Sequence, residues 1–229
     1  MSVPRLVGTD FGGPPNADLL LLGPSLGTSA TALWGLAAEQ LAERLRVVAW
    51  DLPGHGRSPA APFRMPDLAA GVLALVDGIA PRAAFHYAGN SIGGAVGLQL
   101  LLDAPERVSS ATLQCTGAAV GRTEDWATRA DTVRTSGTGA VVEASLQRWF
   151  APGFIDRAPE LVAALVDALR GADDESYAQA CEALADFDVT ARLGQIAAPV
   201  LAIAGSHDGA TPPELLGRIA SGVQHGRLV

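Results

Sequence analysis

The chain has 229 residues, a formal net charge of −8 and 48% hydrophobic residues. That length suits one ordinary domain with room for an inserted subdomain, and the apolar content suffices for a large core. The charge disfavours nucleic acid, whose phosphates would be repelled. All 16 basic residues are arginine, which excludes a Schiff-base or pyridoxal-phosphate lysine and a Walker-type phosphate loop. Cys115 and Cys181 show neither metal-ligand spacing nor a disulfide framework and read as small buried hydrophobes. Met1–Thr9 lacks the charged-then-apolar order of a secretory leader. No apolar run is long enough to span a bilayer, so a membrane is not expected as a partner. A reduced, cytoplasmic compartment is the default expectation. No metal or organic cofactor is expected, and oligomeric state stays open.

In chain order, Leu6-Val7-Gly8 closes a candidate first strand. The apolar run Ala17–Leu22 ends at Gly23-Pro24, a strand followed by a loop. Thr31–Arg44 carries apolar residues at helical spacing. Val47–Trp50 is a buried strand leading into the glycine-rich turn Asp51-Leu52-Pro53-Gly54-His55-Gly56-Arg57-Ser58. Asp67–Ile79 reads as a helix capped by Asp67. Then come a strand over Ala83–Ala88, a helix from Ile92 and a strand over Ala111–Cys115. From Gly117 to Ala198 the pattern turns helical, with amphipathic pieces near Trp126–Arg134, Val141–Trp149, Pro159–Leu169 and Ser176–Leu184 and no strand-like run. Strand character returns at Pro199–Ala204, followed by a helix over Pro212–Ala220 and a strand beginning at Gly226. The alternation predicts an α/β fold: a mainly parallel sheet with helices on both faces. The expected division is a core over 1–116, a helical cap over 117–198 and the rest of the core over 199–229.

Between the Ala83–Ala88 strand and its helix stands Gly89-Asn90-Ser91-Ile92-Gly93, a G-x-S-x-G motif. A serine on a sharp strand-to-helix turn is lifted above the sheet edge, and the helix N-terminus aims free N–H groups at the same spot. Ser91 is therefore the candidate nucleophile and the Ile92 N–H one oxyanion donor. The second donor is expected from the loop Gly23-Pro24-Ser25-Leu26-Gly27-Thr28, after the Ala17–Leu22 strand; Leu26 is the first choice and Ser25 its neighbouring alternative. Asp208, just past the Pro199–Ala204 strand, is the candidate acid, because ligands sit at the carboxyl edge of such sheets.

A serine of this kind needs a base, and here the order is serine, acid, histidine. His86 lies within a strand and reads as core; His55 reads as a hydrogen-bonding residue of its own turn. His225 starts the last strand, at the wrong edge of the sheet. His207 adjoins Asp208, and neighbouring side chains on extended backbone diverge, so it is expected to point away from Ser91. Asp51 and Arg57 are expected to stabilise their turn, with Arg57 also able to face an anionic substrate. Ser25, Trp126 and Trp149 are candidate substrate contacts. Of Arg122, Arg129, Arg134 and Arg148, one or two could bind a carboxylate, the rest being solvated.

Taken together, Asp51–Ser58, the Gly89–Gly93 elbow and Gly205-Ser206-His207-Asp208 ahead of Thr211-Pro212-Pro213 resemble the α/β-hydrolase superfamily over essentially the whole chain. Ser25–Thr28, Ala88–Ala95 and the run from Trp126 through Trp149-Phe150 resemble the 3-oxoadipate enol-lactonases. That resemblance implies a serine hydrolase of a small anionic ester or enol-lactone, acting in aromatic degradation through the protocatechuate route without a cofactor. Related branches include small-ester hydrolases, haloperoxidase-like enzymes and C–C hydrolases. The family places its histidine after the last strand and adds one more helix, and neither has a counterpart by Val229. Three expectations follow: weak activity, apolar surface exposed near the last strand, and, as the alternative reading, a non-catalytic module that binds a small ligand.

Overall fold

Leu19–Leu22 are apolar at every position, so neither face of that segment can meet water. In the computed structural model, which describes residues 3–229, they form the fully buried strand β2 (Leu19–Gly23). Successive side chains alternate between faces. Leu20 and Leu22 therefore pack with Trp34 and Ala38 of helix α1 (Ala30–Leu41), beside Val47 and Ala49 of β3 (Arg46–Trp50). Leu19 and Leu21 turn to the opposite core with Val48, Trp50 and Tyr87. Helix α2 (Met65–Ile79) and helix α3 (Ile92–Asp103) cover that side.

The sheet has seven strands in the order β1-β3-β2-β4-β5-β6-β7. Strand β1 (Gly8–Gly12) pairs antiparallel with β3. All other pairings are parallel, among β2, β3, β4 (Phe85–Asn90), β5 (Val108–Gln114), β6 (Val200–Ile203) and β7 (Gly226–Leu228). The α/β architecture is thus the expected one, with an inserted helical segment between β5 and β6. That segment holds α4 (Thr123–Ser136), α5 (Val142–Trp149), the single turn α6 (Phe154–Arg157), α7 (Pro159–Arg170) and α8 (Asp174–Ala185). Helix α9 (Pro213–Gly222) lies between β6 and β7.

Several local expectations are corrected. The first strand begins at Gly8 instead of ending there, because the β1 ladder runs Gly8–Gly12 against Trp50–Val47 while Leu6 packs into the core outside it. Asp67 is not the cap of α2. Arg64 holds that position, and the Asp67 carboxylate reaches back to accept from the Arg64 N–H at 2.9 Å. The inserted segment is helical as expected, and an isolated antiparallel bridge between Ala119 and Asp188 joins its two ends. The reading of Met1–Thr9 falls partly on residues 1–2, outside the described residues.

The two faces of the sheet at its β5–β7 end are covered unequally. Beneath β6 and β7, Leu216, Ile219 and Val223 of the α9 region are buried. On the other side of β5 and β6, Ser110, Thr112, Leu201 and Ile203 remain half-buried. Leu228 is 46% and Val229 61% exposed, the apolar exposure expected at this edge.

Candidate active site

Ser91 sits between β4 and α3 with φ 53° and ψ −118°, a conformation L-residues rarely adopt. Such a backbone costs about 1–3 kcal/mol and persists only where its surroundings over-determine it. Here they do. The Ser91 N–H donates to the Gln114 carbonyl at 2.9 Å, and the Ser91 carbonyl accepts from Thr116 Oγ1 at 2.8 Å and from the Ala95 N–H at 3.1 Å. Gly93 lets the elbow press against the neighbouring loop: a Cβ there would stand 2.5 Å from the Pro24 carbonyl oxygen. The Gly93 N–H itself donates to that oxygen at 2.9 Å.

That contact fixes the loop after β2. Trp34 Nε1 donates to the Gly23 carbonyl at 3.0 Å, and Thr28 Oγ1 donates to the Ser25 carbonyl at 2.8 Å. The N–H groups of Leu26 and Ile92 make no hydrogen bond among the described residues. Both lie on pinned backbone flanking Ser91. Two free donors beside a serine hydroxyl are what a developing oxyanion requires.

One cavity of about 190 Å³ brings together Ser25, Leu26, Ser91, Trp126, Trp149 and Asp208. Ile92 does not line it; its side chain is in the core, and its backbone follows directly on Ser91 at the start of α3. Asp208 is anchored by its own turn. Its Oδ1 accepts from the Ala210 and Thr211 N–H groups at 2.9 and 2.8 Å, and its Oδ2 accepts from Thr211 Oγ1 at 2.6 Å. Three donors hold the carboxylate in one orientation.

Cys115 departs from the buried-hydrophobe reading. It follows β5 with φ 46° and lines the cavity. Burial, together with the Asp208 carboxylate beside it, pushes its thiol up to about 11. It is a protonated S–H donor, not a thiolate nucleophile. Cys181 fits the expectation, fully buried in α8.

None of the four histidines lines the cavity. His55 is buried; its Nδ1 meets the Pro53 carbonyl at 2.9 Å and its ring stacks near Tyr177, centroids 6.1 Å apart. Burial holds it below the usual histidine range. His86 is not a core residue. It is half-buried, with Nδ1 2.8 Å from Ser110 Oγ and Nε2 3.8 Å from Asp18, because its face of β4 lacks helix cover there. His207 is exposed and makes no hydrogen bond to Ser91, and His225 is exposed at the start of β7.

Asp51 does more than brace its turn. Oδ2 accepts from the Arg57 N–H at 3.0 Å, and Oδ1 accepts from the Ala30 N–H at 2.6 Å, tying the turn to the start of α1. Arg57 is exposed and outside the cavity, so it does not face a substrate. In the helical segment, Arg122 pairs with Asp125, and Arg134 pairs with Glu175 and Glu182. Arg129 and Arg148 instead line the cavity. Trp126 is pinned by its indole N–H, which donates to the Val120 carbonyl at 2.6 Å. Trp149, Phe150 and Phe154 form an aromatic run, with Phe150 and Phe154 stacked at 5.2 Å.

Sequence reasoning missed Thr211, Tyr177 and Ser145. Thr211 had a signal, a hydroxyl three residues past a turn aspartate. Tyr177 and Ser145 had none, since both come to the site from helices distant in sequence.

A model of the α/β hydrolase fold matches residues 18–229. The chain is 37% identical over 202 residues to 3-oxoadipate enol-lactonase 2 of Acinetobacter baylyi, covering 87% of this chain and 74% of that protein. It is 36% identical over 223 residues to a Variovorax paradoxus protein bearing a carbamate-hydrolase name, covering 93% of this chain and 82% of the relative. The crystal structure of the enol-lactonase from Burkholderia xenovorans LB400 superposes with a TM-score of 0.93 at 32% identity, covering 98% of this chain and 86% of that one.

Proposed function

The chain belongs to the α/β-hydrolase family, and on that premise we propose that it is built as a serine hydrolase of a small anionic ester or enol-lactone, 3-oxoadipate enol-lactone being the best candidate. The observation that carries this reading is the strained Ser91 in one cavity with Asp208, beside two unpaired N–H groups. Ser91 Oγ attacks the lactone carbonyl, and the N–H groups of Leu26 and Ile92 hold the resulting oxyanion. Collapse of the tetrahedral adduct expels an enolate, which takes a proton and tautomerises to the ketone. Water then attacks the acyl-enzyme and releases the acid, freeing Ser91. Asp208 stands where a triad acid would orient a base; with no imidazole lining the cavity, the Ser91 proton passes to water during attack and water returns it when Ser91 is freed. Trp126 and Trp149 shape the apolar part of the pocket, and Ser25 borders the carbonyl site. The enol-lactonase relatives support the substrate choice.

All four imidazoles of this sequence stand outside the cavity, so turnover by these 229 residues is expected to be slow. The oxyanion donors and binding retain about 10³–10⁴-fold acceleration over water. That same observation favours a second reading, a module that binds a small carboxylate without turning it over. A fluorophosphonate probe followed by intact-mass measurement separates the two. Slow, Ser91-dependent labelling together with slow lactone opening supports the hydrolase. No labelling over many hours, with ligand binding intact, supports the binding module.

A further inference from the structure

Arg129 projects from α4 into the cavity, and its guanidinium is held on two of its edges. Nε donates to the Tyr177 hydroxyl at 2.8 Å, and Nη2 donates to Ser145 Oγ at 2.8 Å. Both acceptors are themselves fixed. Ser145 is 1% exposed and donates onward to the Val141 carbonyl at 2.7 Å; Tyr177 is 0% exposed. No carboxylate lies within salt-bridge distance of Arg129 among the described residues, although Arg122, Arg134 and Arg107 each have one. Among the described residues, Arg129 Nη1 makes no hydrogen bond and the Tyr177 hydroxyl has no acceptor for its own proton. A second arginine without an acidic partner, Arg148, lines the same cavity.

A half-buried cation without a counter-ion is costly unless something neutralises it. Two cations facing one largely apolar cavity also repel each other. The carboxylate that lines this cavity, Asp208, is engaged by the Ala210 and Thr211 N–H groups and the Thr211 hydroxyl and forms no ion pair with either arginine among the described residues. The anion must therefore come with the ligand. The guanidinium is also pre-organised, since its two bonds to buried hydroxyls remove rotamer freedom before any ligand arrives.

We propose that Arg129, locked by Tyr177 and Ser145, is the carboxylate-binding subsite of this cavity and sets its preference for mono-anionic esters over uncharged ones. The proposal rests on the reading of the cavity as a substrate site and adds which residues read the charge. Nη1 of Arg129 donates to a carboxylate oxygen, with Arg148 adding charge from the rim while the buried Tyr177 hydroxyl holds the guanidinium in place. The ester or lactone carbonyl then lies toward Ser91, at the opposite end of the same ligand. Arg129 selects the ligand without touching the reacting bond. Tyr177 and Ser145 are its positioning residues.

The test uses monomethyl glutarate and its uncharged partner dimethyl glutarate, measured by calorimetry on the Ser91→Ala chain so that neither ester is consumed. The expected result is a preference for the monoanion of about tenfold or more, since charge-assisted bonds are roughly twice as strong as neutral ones. Arg129→Gln should reduce that preference to about twofold or less, and Arg129→Lys should retain part of it by keeping charge without the fork. Tyr177→Phe and Ser145→Ala leave the arginine in place and should each lower the preference, which keeps the test valid if Arg129→Gln does not fold. An absent preference in the parent, failure of both esters to bind, or a preference that survives in Arg129→Gln overturns the proposal. Fluorophosphonate labelling of Ser91 in the unmodified chain reads the catalytic proposal separately. Lost labelling with an intact anion preference removes only the hydrolase reading, and normal labelling without anion preference removes only this one.

Discussion

The floor and the roof of the cavity are held by different proportions of bond. Backbone N–H groups supply much of the floor: Gly93 N–H on the Pro24 carbonyl, Ser91 N–H on the Gln114 carbonyl, and two N–H groups two and three residues ahead on the Asp208 carboxylate, with the Thr116, Trp34 and Thr211 side chains adding to them. Side chains fix the roof: Trp126 on Val120, Arg129 on Tyr177 and Ser145, Phe150 stacked on Phe154. The floor stands at the end of a seven-stranded sheet, whose ladders position every loop at that edge. The roof stands on short helices that meet the sheet through loops. A rigid floor with a side-chain roof lets chemistry stay constant while the ligand-reading surface changes residue by residue.

The largest effect should come from the floor. Ser91→Ala is expected to remove fluorophosphonate labelling entirely, while ester opening, already slow with no imidazole at the cavity, should fall by less than about tenfold. Labelling that persists on another residue would assign the nucleophile elsewhere and dissolve the contrast. Gly93→Ala should destabilise the whole chain by about 1–3 kcal/mol, because the new methyl meets backbone that cannot rotate away. Urea unfolding monitored by circular dichroism measures this, and an unchanged midpoint would show that the elbow and the loop after β2 are not pressed together.

The roof should yield less. Trp126→Phe keeps an aromatic wall but leaves the Val120 carbonyl without its indole donor, a loss of about 1 kcal/mol. The same unfolding measurement applies, and a cost equal to that of Gly93→Ala would erase the distinction between floor and roof.

A pH dependence is shared by both. Burial raises the Cys115 thiol at the floor to about 11 and the Cys181 thiol behind the roof to about 12, from 9.0 for an ordinary thiol. Above about pH 9 the unfolded chain loses these protons while the folded chain keeps them, so the folded state binds more protons and stability falls as pH rises. The contribution is fully present below about pH 9 and declines through about pH 11. Melting temperatures at about pH 8 and about pH 10.5 should show the fall, and Cys181→Ala should lessen it. A melting temperature that does not change over that interval contradicts the burial of both thiols.

Most of the floor was readable in the order of residues. Gly89–Gly93 and Asp208 lie within short segments whose strand-before and turn-after patterns are local, so periodicity and turn chemistry place them at one edge of a parallel sheet. The α/β class followed for the same reason: strands buried on both faces have to be apolar throughout, as Leu19–Leu22 are. Local reading failed where tertiary cover decided the outcome. His86 sits in an apolar strand yet is half-exposed, because no helix covers that part of its face. Asp67 looked like a cap, but the helix starts earlier, at Met65-Pro66, where proline is favoured.

The sequence by itself determined the fold class, the elbow serine, the turn aspartate and the helical character of the inserted segment, since each follows from residues within a dozen positions of one another. Only the tertiary structure decided which of the inserted arginines faces the cavity. Arg122, Arg129, Arg134 and Arg148 look alike along the chain. Their fates depend on partners about 16 to 48 residues distant for Arg129 and about 41 to 48 for Arg134, as helix packing brings them together. A guanidinium near a carboxylate becomes part of the surface, and one near only buried hydroxyls stays available to a ligand. That distinction lies in the spatial neighbours of a residue and not in the residue itself.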